Sequence, residues 1–200
     1  MVLWNRRYSP AEIPVDTDMK AALRKHGLID KRDYTVLEVP LPTMPQILAD
    51  KKADLVTAVM PFALNTQLNE IGIPLFDLTE GMGTTQFLMF AARKAFIDRH
   101  RDVLVDFFED MMRIQRWYID PNNNSDVAKV ASDIVKQPPE RFGWLFTSRD
   151  YYRDPNLMPD LNALQRNVDL TAEMGFIRSS IDVKQHSDLS LVGEAARRLR

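Results

Sequence analysis

The sequence predicts an α/β fold with at least partly parallel strands, followed by a mainly helical segment. Helical and strand-like stretches alternate from Ile13 to about Arg93, and helical periodicity takes over from Phe96 onward. A third observation is the apolar run "ADLVTAVMPF" at residues 53–62, which closes on Met60-Pro61-Phe62. In an open parallel sheet the ends of strands are where ligands sit, so these three residues are expected to face a cleft.

The elements follow in order. "VDTDMKAALRKHGL" sets Met19, Leu23 and His26 at helical spacing, with Asp16 or Thr17 as cap candidates and Gly27 as a stop. "DYTVLEVPL" alternates Tyr34, Val36 and Leu37 with polar neighbours and closes on Pro40, which reads as a strand. "PTMPQILADKKA" restarts a helix, with Thr43 available to cap it and Pro45 tolerated in the first turn, where its missing N–H has no partner to lose. "DLVTAVM" is the next strand, short and β-branched. Beyond a polar stretch from Asn65 to Glu70, "IPLFDL" and "TTQFLMFAARK" read as further strands, the second entered through the turn "EGMG".

In "DRHRDVLVDFFEDMMRIQRWYID", Leu104, Phe107, Phe108, Met111, Ile114 and Tyr118 recur three and four apart, so this stripe is expected to face a core while Arg101, Asp106, Glu109 and Arg113 face water. Asp98 can cap its start, and Pro121 forbids its continuation. A second helix runs from Ser125 to Lys136 through Val127, Val130 and Ile134, and a third starts at Pro138-Pro139. A fourth carries Leu161, Leu164 and Val168 and stops near Gly175, and a fifth begins around Ser190.

Composition narrows the function classes. The chain has 200 residues, 45% of them hydrophobic and 27% charged, which is the make-up of a soluble globular chain. A net charge of -2 leaves no basic excess for nucleic acid, and Arg197-Arg198-Leu199-Arg200 reads as a complement to the dipole of a last helix. No cysteine is present, which removes disulfides, thiolate nucleophiles and sulfur-ligated metals. The start "MVLWNRRYSP" is not a signal peptide, and no apolar run approaches the roughly 20 residues of a membrane helix.

The search for reactive groups is negative. His26, His100 and His186 stand far apart, each without a second histidine at metal-ligand spacing. No serine sits in a nucleophile elbow, and the seven glycines form neither a phosphate loop nor a dinucleotide fingerprint. The pairs Asp16 with Asp18 and Glu109 with Asp110 read as solvated surface. Asn123-Asn124-Ser125 matches a glycosylation acceptor by pattern alone. What remains is a scaffold with aromatic and polar side chains at strand ends, suited to holding a small molecule.

The stretch "ALRKHGLIDKRDYTVLEVPLPTMPQILADKKADLVTAVMPF" resembles the middle of the substrate-binding proteins of ABC importers in the nitrate, sulfonate and taurine group, which includes carriers of thiamine-precursor pyrimidines. Gly27 stands where that family ends a helix, Val36 to Pro40 where it has "V-x-x-x-P", Lys52 to Leu55 where it has "G-x-x-D-A", and Pro61-Phe62 where a strand closes on "P-F". "FLMFAARKAFIDRHRDVLVDFFEDMMRIQRWYIDP" is similar to the family's returning strand and long helix, and "QPPERFGW" together with "DYYRDPNLMPDLNALQRNVDLTAEMGFI" resembles its C-terminal helices. The ordered series covers about residues 14 to 200.

The resemblance implies a type II periplasmic-binding-protein fold that this chain enters part-way. Residues 1–12 are then an unmatched leader, 13–95 the family's second, α/β lobe, and 96–200 a helical return segment packing on an incomplete first lobe. It implies a binding component that closes over a small organic or anionic solute and delivers it to a membrane permease, with no cofactor, no metal and no catalytic residue. The implied ligand-binding residues are Val15, Asp16 and Thr17 at one helix start, Thr43 and Met44 at the next, Met60, Pro61 and Phe62 after a strand, and Thr84, Thr85 and Gln86 before the returning one. An acidic Asp16 at a helix start repels a sulfonate and tilts the expectation toward a neutral or cationic, heteroaromatic solute. The family is periplasmic, whereas this chain as written carries no export signal and is expected to remain in the cytoplasm. Two other readings stand beside it: an enzyme of the desulfinase or pyrimidine-precursor synthase kind on the same fold, and a truncated remnant without function.

Overall fold

The computed structural model describes residues 13–86, 88–148 and 150–199 and, of residues 13–16 and 78, the backbone only. The expected leader, residues 1–12, lies outside the described residues. The helices among the described residues are α1 (Ile13–Lys25), α2 (Met44–Ala49), α3 (Thr66–Ile71), α4 (Leu78–Met82), α5 (Lys94–Arg99), α6 (Arg101–Ile119), α7 (Asn124–Val135), α8 (Leu161–Glu173) and α9 (Ser190–Arg198). They fall into two compact units, Met1–Phe87 with Asn162–Ile181, and Leu88–Leu161 with Asp182–Arg200.

In the first unit α1 packs on α4. Met19 and Leu23 are buried there, with Tyr34, Val36, Leu55 and Phe76 packed against them. Gly27, at φ +80°, stops α1 as the sequence predicts. Its left-handed backbone lets the amides of Gly27 and Leu28 return to the carbonyls of Arg24 and Leu23, which satisfies the helix end. The start of α1 differs from expectation: it begins at Ile13, so Asp16 and Thr17 lie inside the helix and neither is its cap. Thr43 does precede α2, but its hydroxyl donates to the Pro40 carbonyl at 2.7 Å and does not cap the helix.

The segments expected as strands, 33–41, 54–60, 73–78 and 84–94, form no strand among the described residues. They are irregular, apart from a parallel bridge between Asp30 and Tyr34 and single bridge residues at Val36 and Leu55. Alternating polarity chooses which side of a segment is buried, but a strand exists only through the ladder that pairs its amides. Pro40, Pro42, Pro61 and Pro74 remove donors within or beside these segments, which caps and short turns then take over. The amide oxygen of Asn65 accepts the Leu68 N–H at 3.2 Å and starts α3 inside the polar stretch from Asn65 to Glu70, to which the sequence assigns no element. The Asp77 carboxylate accepts the N–H groups of Thr79 and Glu80 at 2.9 and 3.2 Å and starts α4 at the end of an expected strand. An α/β sheet is therefore not present among these residues, and the fold they show is helical with irregular connections.

In the second unit α6 packs on α9. Val105 and Met112 are fully buried against Leu191, Val192 and Ala195, with Leu104 and Phe108 at the margin. The expected stripe is thus displaced: Ile114 is 58% and Phe107 41% exposed. Residues three and four apart cover a broad arc, and the single helix α9 selects the narrower strip through Val105 and Met112. Asp98 does not cap α6. It pairs with Lys94 at 2.8 Å within α5, which ends at Arg99 before α6 starts afresh from His100. Pro121 ends α6 as expected, and α7 matches the Ser125 to Lys136 helix to within a residue. The helix expected from Pro138-Pro139 is one 3-10 turn, Pro139–Phe142. Arg197 and Arg198 fall in the last turn of α9, where Arg198 reaches Asp106 at 2.7 Å and Glu194 at 3.2 Å.

Candidate functional site

The residues expected to line a cleft all belong to the first unit. Met44 opens α2 and is 2% exposed, and the Thr57 hydroxyl, itself buried, meets its sulfur at 3.9 Å. This contact joins the first turn of α2 to the segment that runs on to Met60. The Met60–Pro61 peptide is cis, Pro61 is buried, and Phe62 is half-buried at the head of the 3-10 turn Phe62–Leu64. The amide of Asn65 returns to the Phe62 carbonyl at 3.0 Å, which holds the turn closed and fixes the backbone that carries the ring. Met60 and Phe62 keep part of their surface open, the condition for an apolar wall.

The second group of expected residues follows α4. Gly83, at φ +71°, ends that helix and turns the chain into Thr84, Thr85 and Gln86. The Thr84 side chain is exposed and its carbonyl accepts from the Arg166 guanidinium of α8 at 3.3 Å, while Thr85 and Gln86 are half-buried. Arg24 of α1 donates to the Glu173 carbonyl at 3.4 Å, and Lys20 lies 5.2 Å from the ring centre of Phe176, so α1 and the α8 region meet through cations. The structure therefore brings Met44 to the segment before Met60 and ties Thr84 to α8. Val15 and Asp16 lie on the backbone of α1, and their side chains fall outside the described residues.

Thr17 is where the structure departs most from the open helix start expected of it. It is 2% exposed and its hydroxyl oxygen has no partner among the described residues. Beside it Asp18, read in the sequence as solvated surface, is 4% exposed, and its Oδ1 has no partner among the described residues. Burial pushes its carboxyl up from 3.8 to about 7, since an ionised carboxylate is strongly disfavoured away from water. The signal was present in the sequence: Asp18 and Ala22 are four apart, and so are Thr17 and Ala21, which puts both polar residues on the faces that bury the alanines.

Elsewhere in this unit His26 sits 2.8 Å from Glu80 Oε1 on an exposed surface. Among the described residues no three His, Cys, Asp or Glu side chains converge as a metal site would require. No described helix is long and apolar enough to cross a membrane. The chemistry on offer from Met60, Phe62, Thr85 and Gln86 is apolar contact and hydrogen bonding.

The sequence model of the NMT1-like family matches residues 14–132, more than half of the chain. The chain belongs to the NMT1-like family. No curated protein and no solved structure matches it. The NMT1-like match begins in α1, contains every expected site residue from Val15 to Gln86, and runs through α6 into α7. NMT1-like proteins are mainly substrate-binding proteins of periplasmic-binding-protein architecture, and membership is compatible with a solute-binding role.

Proposed function

We propose that this NMT1-like chain is the solute-binding component of an ABC importer, working in the periplasm and delivering its cargo to a permease. The observation that carries this reading is the family match over residues 14–132. The solute is a small organic or anionic molecule: a sulfonate, nitrate, taurine or a pyrimidine-like ring. Met60 and Phe62 supply its apolar wall, Thr43, Thr85 and Gln86 its hydrogen bonds, and Val15 and Asp16, in the first turn of α1, complete the proposed set. Thr17, Met44 and Pro61 are buried, and their part in this reading is to support the site and not to touch the solute.

The partial exposure of Phe62 favours this assignment, because an aromatic fixed by a closed turn and left half open is poor as core and good as a binding surface. Calorimetric titration of the purified chain with taurine, an alkyl sulfonate, nitrate and an aminopyrimidine tests the reading. Saturable heat with one of them is expected, and silence across all four would overturn it.

A further inference from the structure

A pocket of about 260 Å³ opens in the second unit between the first turn of α7 and the stretch 139–146. Phe142, Leu145 and Phe146 form its apolar side, and Asn124, Ser125 and Glu140 line it with polar groups. Phe142 and Leu145 are buried. Phe146 holds a backbone φ of +64°, the left-handed region that a bulky side chain adopts only when its surroundings impose it.

The imposing groups are present. The Phe146 N–H donates to Asp150 Oδ2 at 2.8 Å, and Asp150 Oδ1 accepts from the Tyr151 N–H and from Arg153, each at 2.7 Å. Arg153 in turn lies over the Tyr118 ring, 4.8 Å from its centre, and that ring stands 5.3 Å from the ring of Phe146. One carboxylate, one guanidinium and one phenol ring thus fix the aromatic wall of the pocket before anything binds, which lowers the ordering cost that a ligand must overcome.

Charge selects the ligand. Among the described residues on the lining, Glu140 alone is formally charged. The N-terminal end of α7 opposes it with only about half a positive charge, and Asp126 in the first turn already offsets that. Aromatic faces add their own attraction for cations. From this arrangement we propose that the pocket binds a small planar aromatic cation, its ring against Phe146 and its N–H donors on Glu140 and Ser125. The site is independent of the solute site proposed for the first unit.

Benzamidine, benzyl alcohol and benzoate are the probes, titrated into the full chain while backbone amide NMR signals of Ser125, Gly143 and Phe146 are followed. Benzamidine should shift these three signals saturably, with a dissociation constant on the order of a millimolar, the range open to a ligand of about nine heavy atoms. Benzyl alcohol should bind several-fold more weakly and benzoate not at all. Glu140→Gln, a change at an exposed position, should weaken benzamidine about fivefold and leave benzyl alcohol unchanged; Ala128→Trp, which fills the pocket, should abolish both. Benzoate binding as well as benzamidine, shifts confined to other residues, or no shift with any probe would each overturn the proposal. If the filled variant does not fold, the comparison of probes on Glu140→Gln decides alone.

Discussion

Gly81 of α4 packs so closely on α1 that a Cβ at this position would meet the Asp18 carbonyl oxygen nearer than real Cβ atoms approach any atom, with the Ala22 amide nitrogen 3.1 Å away. Both obstacles are backbone, so no rotamer change relieves them. Gly81→Ala is therefore expected to destabilise the first unit by about 1–3 kcal/mol, the usual cost of overpacking. Urea denaturation of the two proteins checks it; an unchanged midpoint would mean that α4 does not hold this position.

Asp18 makes stability depend on pH with a sign opposite to that of an ordinary paired carboxylate. Its pKa is about 7 in the folded chain and 3.8 unperturbed, so between these values the folded state holds more protons than the unfolded one. Stability is then highest in acid with respect to this group and falls by about 1.4 kcal/mol per pH unit as pH rises through that window. Above about pH 7 the full penalty is present. Asp18→Asn removes the ionisation, so denaturation midpoints at pH 5 and pH 8 should converge in the variant and differ in the parent. A parent chain that gains stability across this range would contradict the burial of Asp18.

The displaced stripe of α6 gives a paired test. Met112 is fully buried against α9, and Met112→Ala should cost about 2–5 kcal/mol through lost burial and a residual cavity. Ile114 is 58% exposed, and Ile114→Ala should stay within about 0.5 kcal/mol. Chemical denaturation measures both, and equal losses would restore the stripe that periodicity alone suggests.

Phe62→Ala should lower affinity for the solute found by titration about tenfold or more while shifting the melting temperature little, because the ring is half open and its turn is held by backbone bonds. Calorimetry beside thermal denaturation separates the two effects. Undiminished binding with a large loss of stability would make Phe62 a core residue.

The sequence by itself determined the helices whose signals are local. The positions of α7, α8 and α9, the stop at Gly27 and the break at Pro121 follow from side-chain spacing, a left-handed glycine and a missing amide donor, all contained within a few residues. Family membership was legible in the same way, as an ordered series of short patterns from Gly27 to Phe62 and beyond. Whether 33–41 or 54–60 becomes a strand is not a property of the segment, because the partner that would complete its ladder comes from elsewhere in the chain. Burial is equally non-local: α9 chose Met112 over Ile114, and Asp18, a surface carboxylate by its sequence, is a buried acid in the folded first unit. Periodicity names the candidates for a face; only the element packed against it fixes which of them lose their water, and with it their pKa and their role.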